Sequence, residues 1–394
     1  MDNIGILPEK ECRGCGVCAA VCPTDAIGIE LDKRGFYQAF VRSDKCIGCG
    51  KCTKVCSVIN QNKSSQTARQ VLYAYNIDRE RRIQSSSGGI VGALVKAALD
   101  DGYRIIGASY DYDTNRVRHV EVFSEEEYYE KVAGSKYIPS HTVDAFKSIA
   151  QMDRVLVIGT PCQIHALKAA YPQKDMLTVD FRCYGVCGYA LWDKYIQSIR
   201  KKYPAKINHI HSRSKICSWL KWGVEINFED GSRYFKPKTK DSFGRIFSGL
   251  EHAGEHCLKC SMSAEPSFAD IRVEDGWQIS ECLTRDDYKA GASQVTLMSE
   301  EGEKLWTKAA DYVHSVDVGL GHAIHGCSKH PPKEYLNELI LSPDTGIEDI
   351  IARYNKTIPV TTRIFNYLCN LLFDVPAVYF AVKRIYRKIR KVDS

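Results

Sequence analysis

Two copies of one cysteine spacing constrain the first 56 residues more than any other feature of the chain. The pattern Cys-x2-Cys-x2-Cys-x3-Cys begins at Cys12 and again at Cys46, and it is followed by Pro23 in the first copy and by Ser57 in the second. Three thiolates supplied by one tight loop, with a fourth from elsewhere, are the ligands that a [4Fe–4S] cluster needs. The repeat therefore predicts two such clusters.

The fourth cysteine of each run in two-cluster ferredoxins binds the cluster of the other run. We therefore expect one cluster on Cys12, Cys15, Cys18 and Cys56. We expect the second on Cys46, Cys49, Cys52 and Cys22. A pair of zinc sites is the alternative, but zinc motifs rarely draw three cysteines from one such run, and here the run occurs twice.

Composition limits what the rest of the chain can be. Its 394 residues are 44% hydrophobic and 26% charged, which predicts a folded protein of two or three domains. The net charge is +6, and the final residues 376–394 hold +5 of it, so the near-neutral remainder argues against nucleic-acid binding. No basic and apolar leader precedes Cys12, so we expect a cytoplasmic location, where cysteines serve metal or redox chemistry.

The pattern of apolar and polar residues divides the chain into four parts. We expect an α+β dicluster ferredoxin domain at 1–60, a polar linker at 61–70, an α/β body at 71–340 and a helical basic tail at 341–394. The predicted strands lie at 26–30, 36–41, 71–75, 103–110, 154–159, 177–180, 222–228 and 233–235. The predicted body helices lie at 90–99 and 163–170.

The body carries cysteines of its own. Cys162 and Cys183 follow predicted strands, and Cys257 and Cys260 form a Cys-x2-Cys pair. Because α/β sheets bind ligands at the carboxyl ends of their strands, these thiols are candidates for a further site. Spacing alone leaves ordinary buried cysteines as an equal alternative.

A second candidate site is Ser85–Gly89 (SSSGG), directly before the helix predicted at 90–99. Hydroxyls and backbone N–H groups at a helix N-terminus favour a phosphate. From these residues alone, a plain N-terminal cap with two permissive glycines is the favoured interpretation.

The order of these segments resembles the family of coenzyme F420 hydrogenase/dehydrogenase beta subunits. The resemblance runs from about Val71 to Trp306 and is strongest to bacterial members fused to a dicluster ferredoxin. Its motifs are Ser85–Ile90, Gly134–Tyr137, Gly159–Gln163, Cys183–Gly185, Cys257–Cys260 and Ala269–Trp277.

The resemblance implies an iron–sulfur flavoprotein oxidoreductase, with FAD in the body. A third [4Fe–4S] cluster would be bound by Cys162, Cys183, Cys257 and Cys260. The flavin would be held by Ser86, Ser87, Gly88, Gly89 and Lys136, with Thr160 and Gln163 nearby. Electrons would pass between the clusters, FAD and an organic substrate, in a role connected with polysaccharide biosynthesis. The expected partner is a ferredoxin or another oxidoreductase subunit, in an oligomer.

Two alternatives stay open at this point. One is an F420-linked hydrogenase or dehydrogenase beta subunit, and the other is a non-catalytic electron-transfer module of a larger complex. The chain also departs from its relatives: Tyr184 stands where many have His, Ser212–Lys215 replaces a Phe-Arg-Asp-Lys segment, and Cys187 is additional. Tyr184, Arg213 and Lys215 are therefore candidates for a substrate-side proton donor.

The C-terminal residues admit two interpretations. Residues 379–391 mix aromatic and basic side chains, which suits an interfacial helix on anionic lipid at the inner face of the membrane, or equally a docking helix. Polar residues and Pro376 interrupt the apolar stretch before it, so we expect no spanning helix. The histidines between Gly321 and His330 are interpreted as surface or packing residues, and no metal is assigned to them.

Overall fold

The computed structural model describes residues 3–60, 66–249, 251–262, 267–277, 282–322 and 334–359, together with 361, 362 and 364. Its N-terminal part holds an antiparallel pair, β1 (Ile27–Leu31) and β2 (Tyr37–Val41). The carboxylate of Asp32 closes the turn by accepting the N–H groups of Arg34 and Phe36, both at 2.9 Å. Two short helices, α1 (Val17–Ala20) and α2 (Lys51–Val55), each contain the third cysteine of a motif.

The body is built on a nine-stranded mixed sheet in the order β14-β3-β13-β12-β8-β7-β4-β5-β6. Its strands are β3 (Gln70–Asn76), β4 (Arg104–Asp111), β5 (Arg116–Val122), β6 (Ser140–His141), β7 (Arg154–Gly159), β8 (Asp175–Phe181), β12 (Ile271–Asp275), β13 (Ser293–Leu297) and β14 (Val313–Asp317). The central pairs β4–β7, β7–β8 and β8–β12 are parallel. Parallel strands are normally buried on both faces, and the apolar run of β7 fits that position.

Helices connect many of these strands. They are α3 (Arg79–Gln84), α4 (Ile90–Asp100), α5 (Glu125–Glu127), α6 (Val143–Ser148), α7 (Pro161–Ala170), α8 (Tyr189–Lys202), α9 (Ser242–Ser248), α10 (Glu255–Leu258), α11 (Asp287–Ala290), α12 (Glu300–Lys308), α13 (Glu334–Leu341) and α14 (Ile347–Thr357). A π-helix lies at Tyr128–Val132. Short 3-10 helices lie at Ile4–Ile6, Glu9–Glu11, Ile149–Gln151, Ala310–Tyr312 and Leu320–His322.

A second, antiparallel sheet packs beside α8. It contains β9 (Ile207–Ser214), β10 (Gly223–Phe228) and β11 (Arg233–Pro237) in the order β11-β10-β9. One hydrophobic core joins this sheet to α8, α13 and α14. The described part of the segment expected as a basic tail thus includes α14, whose Ile347, Ile350 and Tyr354 are buried in that core.

The N-terminal part and the body share a core. Val17, Cys18 and Val55 belong to the same hydrophobic cluster as Phe146 of α6 and Ile164 of α7. Several backbone hydrogen bonds cross the same boundary, among them Tyr189 N–H to the carbonyl of Gly35 at 3.0 Å. The cysteine motifs are therefore held against the body rather than tethered to it.

Each strand and helix predicted above has a counterpart in the structure. The predicted strand 154–159 coincides with β7, and the helix predicted at 90–99 extends one residue further as α4. Gly102, just past that helix, has φ +77°, the left-handed conformation typical of a residue that follows a helix. Residues 61–65 of the proposed linker and the basic segment 376–394 lie outside the described residues.

Candidate iron–sulfur centres and cofactor loop

Four thiols from the two cysteine motifs line one cavity. Cys12, Cys15 and Cys18 come from the first motif, and Cys56 comes from the end of the second. Cys56 reaches this cavity because α2 ends at Val55 and the chain then turns back toward the first motif. The structure thus brings together the four cysteines that were expected to share a cluster, and four thiolates are the donor set of a [4Fe–4S] cluster.

Burial and mutual repulsion raise the pKa of two of these thiols, those of Cys15 and Cys18. Burial raises the pKa of Cys15 well above its ordinary value, and the neighbouring Cys162 and Cys18 raise it further. Burial likewise raises the pKa of Cys18, and Cys12 and Cys56 add to the effect. A bound metal centre reverses this situation because its positive charge stabilises thiolates. The cavity therefore fits a cationic metal centre.

Glycine between the cysteines permits the tight approach of the backbone. Gly16 has φ +77°, and a Cβ there would lie 2.1 Å from Oγ1 of Thr142 in the body. Gly50 holds the corresponding place in the second motif with φ +69°. Both glycines cap the helix that follows, so the two motifs repeat in backbone conformation as well as in sequence.

The second motif lies nearer the surface. Cys46 and Cys22 are half-buried, Cys52 is buried and Cys49 is exposed. The amide of Asn3 donates to Sγ of Cys46 at 3.6 Å. Partial burial raises the pKa of Cys22, but N–H groups of Thr24 and Ala26 outweigh it and leave that pKa below its ordinary value. Sγ of Cys22 accepts the Ala26 N–H at 3.3 Å.

A thiol of the body, that of Cys162, lies within electrostatic range of the first cavity. Cys162 lies at the start of α7, just beyond the carboxyl end of β7, and its thiol is close enough to Cys15 that charge on Cys162 raises the pKa of Cys15. Burial raises the pKa of Cys162 to about 11, and Cys260 and Cys257 also raise it. Cys162 is therefore within electrostatic range of Cys257 and Cys260, and Ile164 of its helix packs in the same core as Val17 and Cys18 of the first motif.

Two further body cysteines, Cys183 and Cys187, have neighbours that affect their surroundings electrostatically. The charge of Cys183 acts on Arg272, which is paired with Asp180 at 2.9 Å. Cys187 is buried, bridges by its backbone to Ala253 and lies close enough to Cys257 for charge on Cys257 to raise its pKa. In the described residues no three His, Cys, Asp or Glu side chains are close enough to share a single metal ion. A [4Fe–4S] cluster needs a wider arrangement, since each of its irons takes a separate thiolate.

The loop Ser85–Gly89 is fixed by contacts from other segments, among them one at Ser135 and one at Ala292 and Ser293. Oγ of Ser86 accepts the N–H of Ser135 at 2.8 Å, and the hydroxyl of Ser87 donates to the carbonyl of Ala292 at 2.6 Å. The N–H of Gly88 donates to Oγ of Ser293 at 3.0 Å. Gly89 has φ +79° and caps α4 without a side-chain hydrogen bond. Because the capping residue is a glycine, the N-terminus of the 11-residue helix α4 has no side-chain cap.

Two lysines near this loop donate hydrogen bonds to backbone carbonyls. The ammonium of Lys136 donates to the carbonyls of Val132, Ala133 and Gly134, and burial lowers its pKa to about 7. The ammonium of Lys215 donates to the carbonyls of Arg82, Ser87 and Ala290, and burial lowers its pKa well below the ordinary value. Both lysines are therefore anchored to backbone near Ser85–Gly89.

The remaining predicted residues have local partners. Oε1 of Gln163 accepts the Thr160 N–H at 2.8 Å at the start of α7, and Oγ1 of Thr160 lies 3.2 Å from Sγ of Cys162. The guanidinium of Arg213 pairs with Asp275 at 2.8 Å. Tyr184 is exposed, and its hydroxyl donates to the carbonyl of Ser248 at 3.4 Å. Of the three proton-donor candidates, Arg213 and Lys215 thus lie on one strand and its extension, while Tyr184 lies elsewhere.

The sequence analysis missed two histidines that lie on the same strand as Arg213. His209 and His211 stand on β9 at alternate positions with Arg213, and Lys215 follows the same spacing. Nε2 of His211 is buried without a hydrogen-bond partner, and burial lowers the pKa of His211 to about 3, with further lowering by His209, Lys215 and Lys136. The period of two in His-x-His-x-Arg-x-Lys predicts one strand face and could have identified the group.

This basic group lies close to the N-terminus of α4. Beyond the effect of burial, His209, Lys215 and Lys136 lower the pKa of His211, and Arg213 and Arg82 lower that of Lys215, so an anion among them would relieve the repulsion. A helix N-terminus adds backbone N–H groups and a positive dipole end. The donor chemistry therefore fits a phosphate-bearing cofactor.

Two parts of the chain match known protein families. Residues 11–59 match the family described as "4Fe-4S dicluster domain". Residues 152–317 match the family that describes the C terminus of the coenzyme F420 hydrogenase/dehydrogenase beta subunit. Together with the paired cysteine motifs, these matches define an iron–sulfur oxidoreductase protein. The body of the chain is thus similar to coenzyme F420 hydrogenase/dehydrogenase beta subunits, and its N-terminal part is similar to dicluster ferredoxin domains.

Relatives of the chain are redox proteins. It is 24% identical over 327 residues to the F subunit of the F(420)H(2) dehydrogenase from Methanosarcina mazei, a match that covers 78% of this chain and 84% of the relative. It is 30% identical over 165 residues to the coenzyme F420-dependent sulfite reductase of Methanocaldococcus jannaschii, covering 41% of this chain and 26% of the relative. A chain of the F420-reducing [NiFe] hydrogenase complex from Methanosarcina barkeri aligns with TM-score 0.45 and 18% identity, over 74% of this chain and 92% of that one.

Within the described residues, none of the helices is both long and apolar enough to cross a bilayer.

Proposed function

We propose that this protein is an electron-transfer subunit of an F420-linked oxidoreductase of the hydrogenase or dehydrogenase type. Its relatives named for F420 chemistry favour this function over a stand-alone enzyme with an organic substrate. In this proposal residues 1–60 carry the two ferredoxin-type clusters, and residues 71–340 carry a third cluster and FAD. The partner is another oxidoreductase subunit.

The observation that carries the proposal is the packing of the first motif against α7, the helix that contains Cys162: Val17 and Cys18 share a hydrophobic core with Ile164 of that helix. Cys15 belongs to the first motif and Cys162 to the body, yet their thiols are close enough for charge on Cys162 to raise the pKa of Cys15. Cys162 in turn lies beside Cys257 and Cys260. The candidate ligands of the ferredoxin domain and those of the body are thus neighbours. Neighbouring centres are what an electron relay requires.

Each centre has a proposed set of ligands. Cys12, Cys15, Cys18 and Cys56 would hold the first cluster, and Cys46, Cys49, Cys52 and Cys22 the second. Cys162, Cys183, Cys257 and Cys260 would hold the third. A [4Fe–4S] cluster exchanges single electrons, whereas a flavin exchanges electrons singly or in pairs.

The basic group near α4 supports an anionic cofactor beside the third centre. The loop presents hydroxyls and backbone groups at the N-terminus of α4, from Ser86, Ser87, Gly88 and Gly89. Lys136 lies next to this loop in space, because the N–H of the preceding residue, Ser135, donates to Oγ of Ser86. His211 adds a buried Nε2 without a hydrogen-bond partner. FAD and F420 both carry phosphate, so this group suits either cofactor. Thr160 and Gln163 would act on the cofactor indirectly. They bond to each other at the start of the helix that contains Cys162, and Oγ1 of Thr160 lies 3.2 Å from Sγ of Cys162.

Anaerobic purification with iron, sulfide and flavin quantified per chain tests the cofactors. We expect about twelve irons, four for each cluster, and one FAD. Mixing the protein with reduced F420 should then bleach the flavin and the cluster absorbance. Cys162→Ser should retain about eight irons and lose F420-dependent bleaching of the ferredoxin-type clusters, whereas Cys217→Ser, at an exposed cysteine, should behave like the wild type. Clusters that reduced F420 leaves oxidised would overturn the proposal.

A further inference from the structure

The two cysteine motifs face different surroundings. The first motif is enclosed: its Cys15 lies beside Cys162, and the carbonyl of Cys15 accepts a hydrogen bond from Thr142 of the body. The second motif has its Cys49 exposed. A redox partner arriving from outside can therefore approach the second centre closely, while the first centre is reached through the protein.

Apolar side chains stand exposed around the second motif. Ile47 lies between two of the motif's cysteines, and 67% of it is exposed. Ile6 is 61% exposed, in a short turn that Asn3 links to Sγ of Cys46 at 3.6 Å. Apolar contact at the centre of a patch with a polar rim is the usual anatomy of a protein interface. These two isoleucines have the position expected of such a centre.

The rim of this patch is positively charged. Lys45, Lys51 and Lys54 are exposed, and Asp44 is the acidic residue among them. Lys51 and Lys54 are one turn apart on the outer face of α2, whose Cys52 and Val55 are buried. Across the described ranges, none of these three lysines takes part in an ion pair within 4.0 Å. Their charge is therefore available to a partner.

We propose that this surface, made of Lys45, Ile47, Cys49, Lys51, Lys54 and Ile6, is the docking face for an acidic electron-carrier protein. The inference rests on the proposed function only in taking the second motif to hold a cluster. Electron-transfer encounters use small interfaces, so one or two apolar contacts inside a charged rim suffice. Opposite charge on the partner raises the association rate and orients the encounter.

The test is the rate at which a reduced acidic ferredoxin reduces the oxidised, anaerobically purified protein in a stopped-flow mixing experiment. Replacing Lys45, Lys51 and Lys54 together by Glu should lower the second-order rate constant about tenfold or more at low salt. Ile47→Asp should lower it as well. The wild-type rate should fall as salt is added, and the rate of the triple variant should not.

A matched triple variant controls for net charge. Lys201, Lys240 and Lys289 are exposed lysines of the body, and their replacement by Glu changes the total charge by the same amount. This control should keep the wild-type rate. A milder variant, with Gln at the three docking lysines, should give an intermediate rate if charge is the cause.

Iron content and reduction by dithionite separate the two proposals. If both are normal in a docking variant and its rate with ferredoxin equals the wild-type rate, the docking proposal is wrong. An equal loss of rate in the control triple would also overturn it, because the effect would then come from net charge alone. Protein that lacks the irons of the second motif would instead contradict the proposed function.

Discussion

The hydroxyl of Thr142 donates a hydrogen bond of 2.8 Å to the backbone carbonyl of Cys15, and so joins the body to the first cysteine motif. Thr142 is buried, and it precedes α6. Its Oγ1 also occupies the space that a Cβ on Gly16 would need. The position of the first motif is thus fixed by a residue 127 positions away in the sequence.

Thr142→Val keeps the shape of this side chain and removes its donor. The carbonyl of Cys15 would lose this buried partner, so the free energy of unfolding should fall by about 1–2 kcal/mol. Anaerobic denaturation with urea measures the change. Thr307→Val is the control, because that hydroxyl is exposed and bonds within its own helix to Glu303, so a comparable loss there would contradict the interpretation.

Cys56→Ser should remove the cluster of the first motif rather than that of the second. Cys56 lines the cavity formed by Cys12, Cys15 and Cys18, although it is the last cysteine of the second motif in sequence. We expect a loss of about four irons and of the same electron paramagnetic resonance signal that Cys12→Ser removes. Cys49→Ser should remove a different signal. If Cys56→Ser and Cys49→Ser removed the same signal, the crossed assignment would be wrong.

Asp287→Asn should destabilise the fold beside the cofactor loop. Asp287 pairs with the guanidinium of Arg82, accepts the Tyr73 hydroxyl at 2.6 Å and accepts the Thr284 N–H at 2.6 Å. Arg82 and Asp287 are both buried. Loss of one charge from a buried pair leaves the other uncompensated and typically costs about 3–5 kcal/mol.

An exposed ion pair outside this network provides the control for this experiment. Asp113 pairs with Lys206 at 2.9 Å, and more than half of each side chain is exposed. Asp113→Asn should therefore change the free energy of unfolding by less than about 1 kcal/mol. The flavin content of both variants should be measured as well, because Lys215 joins the carbonyl of Arg82 to that of Ser87 in the loop. Equal effects of the two substitutions would contradict the role of the buried pair.

His119 should make the protein less stable as the pH falls below about 6.5. Burial lowers the pKa of His119 to about 4, while an unfolded chain has an ordinary histidine near 6.5. Between these values the unfolded state binds a proton that the folded state does not, so stability rises with pH across the window and is lost as the pH drops. The full effect from pH 7 to below pH 4 is about 3 kcal/mol.

Comparing the pH dependence of unfolding in variants isolates this contribution. His119→Gln should weaken the dependence between pH 6.5 and pH 4.5, because the titrating group is gone. His314 is exposed, so His314→Gln should leave the dependence as in the wild type. An unchanged slope in His119→Gln would show that other groups control acid sensitivity.

Local sequence patterns predicted much of the body and the type of its centres. The apolar run 154–159 coincides with β7 because a buried parallel strand needs continuous apolar side chains. The cysteine spacing predicted thiolate chemistry because that spacing brings three sulfurs to one loop. The basic face of β9 was missed because its strand was not recognised, although the alternation of His209, His211 and Arg213 was present in the sequence.

By itself the sequence determined which groups can bind metal and where several of the helices and strands form, since both depend on residues a few positions apart. Only the tertiary structure decided that Cys15 lies beside Cys162 and that Cys49 remains exposed. The same holds for Arg82 and Asp287, which are 205 residues apart. Such pairings depend on how sheets and helices pack into a shared core, and packing is a property of the whole chain rather than of any short segment.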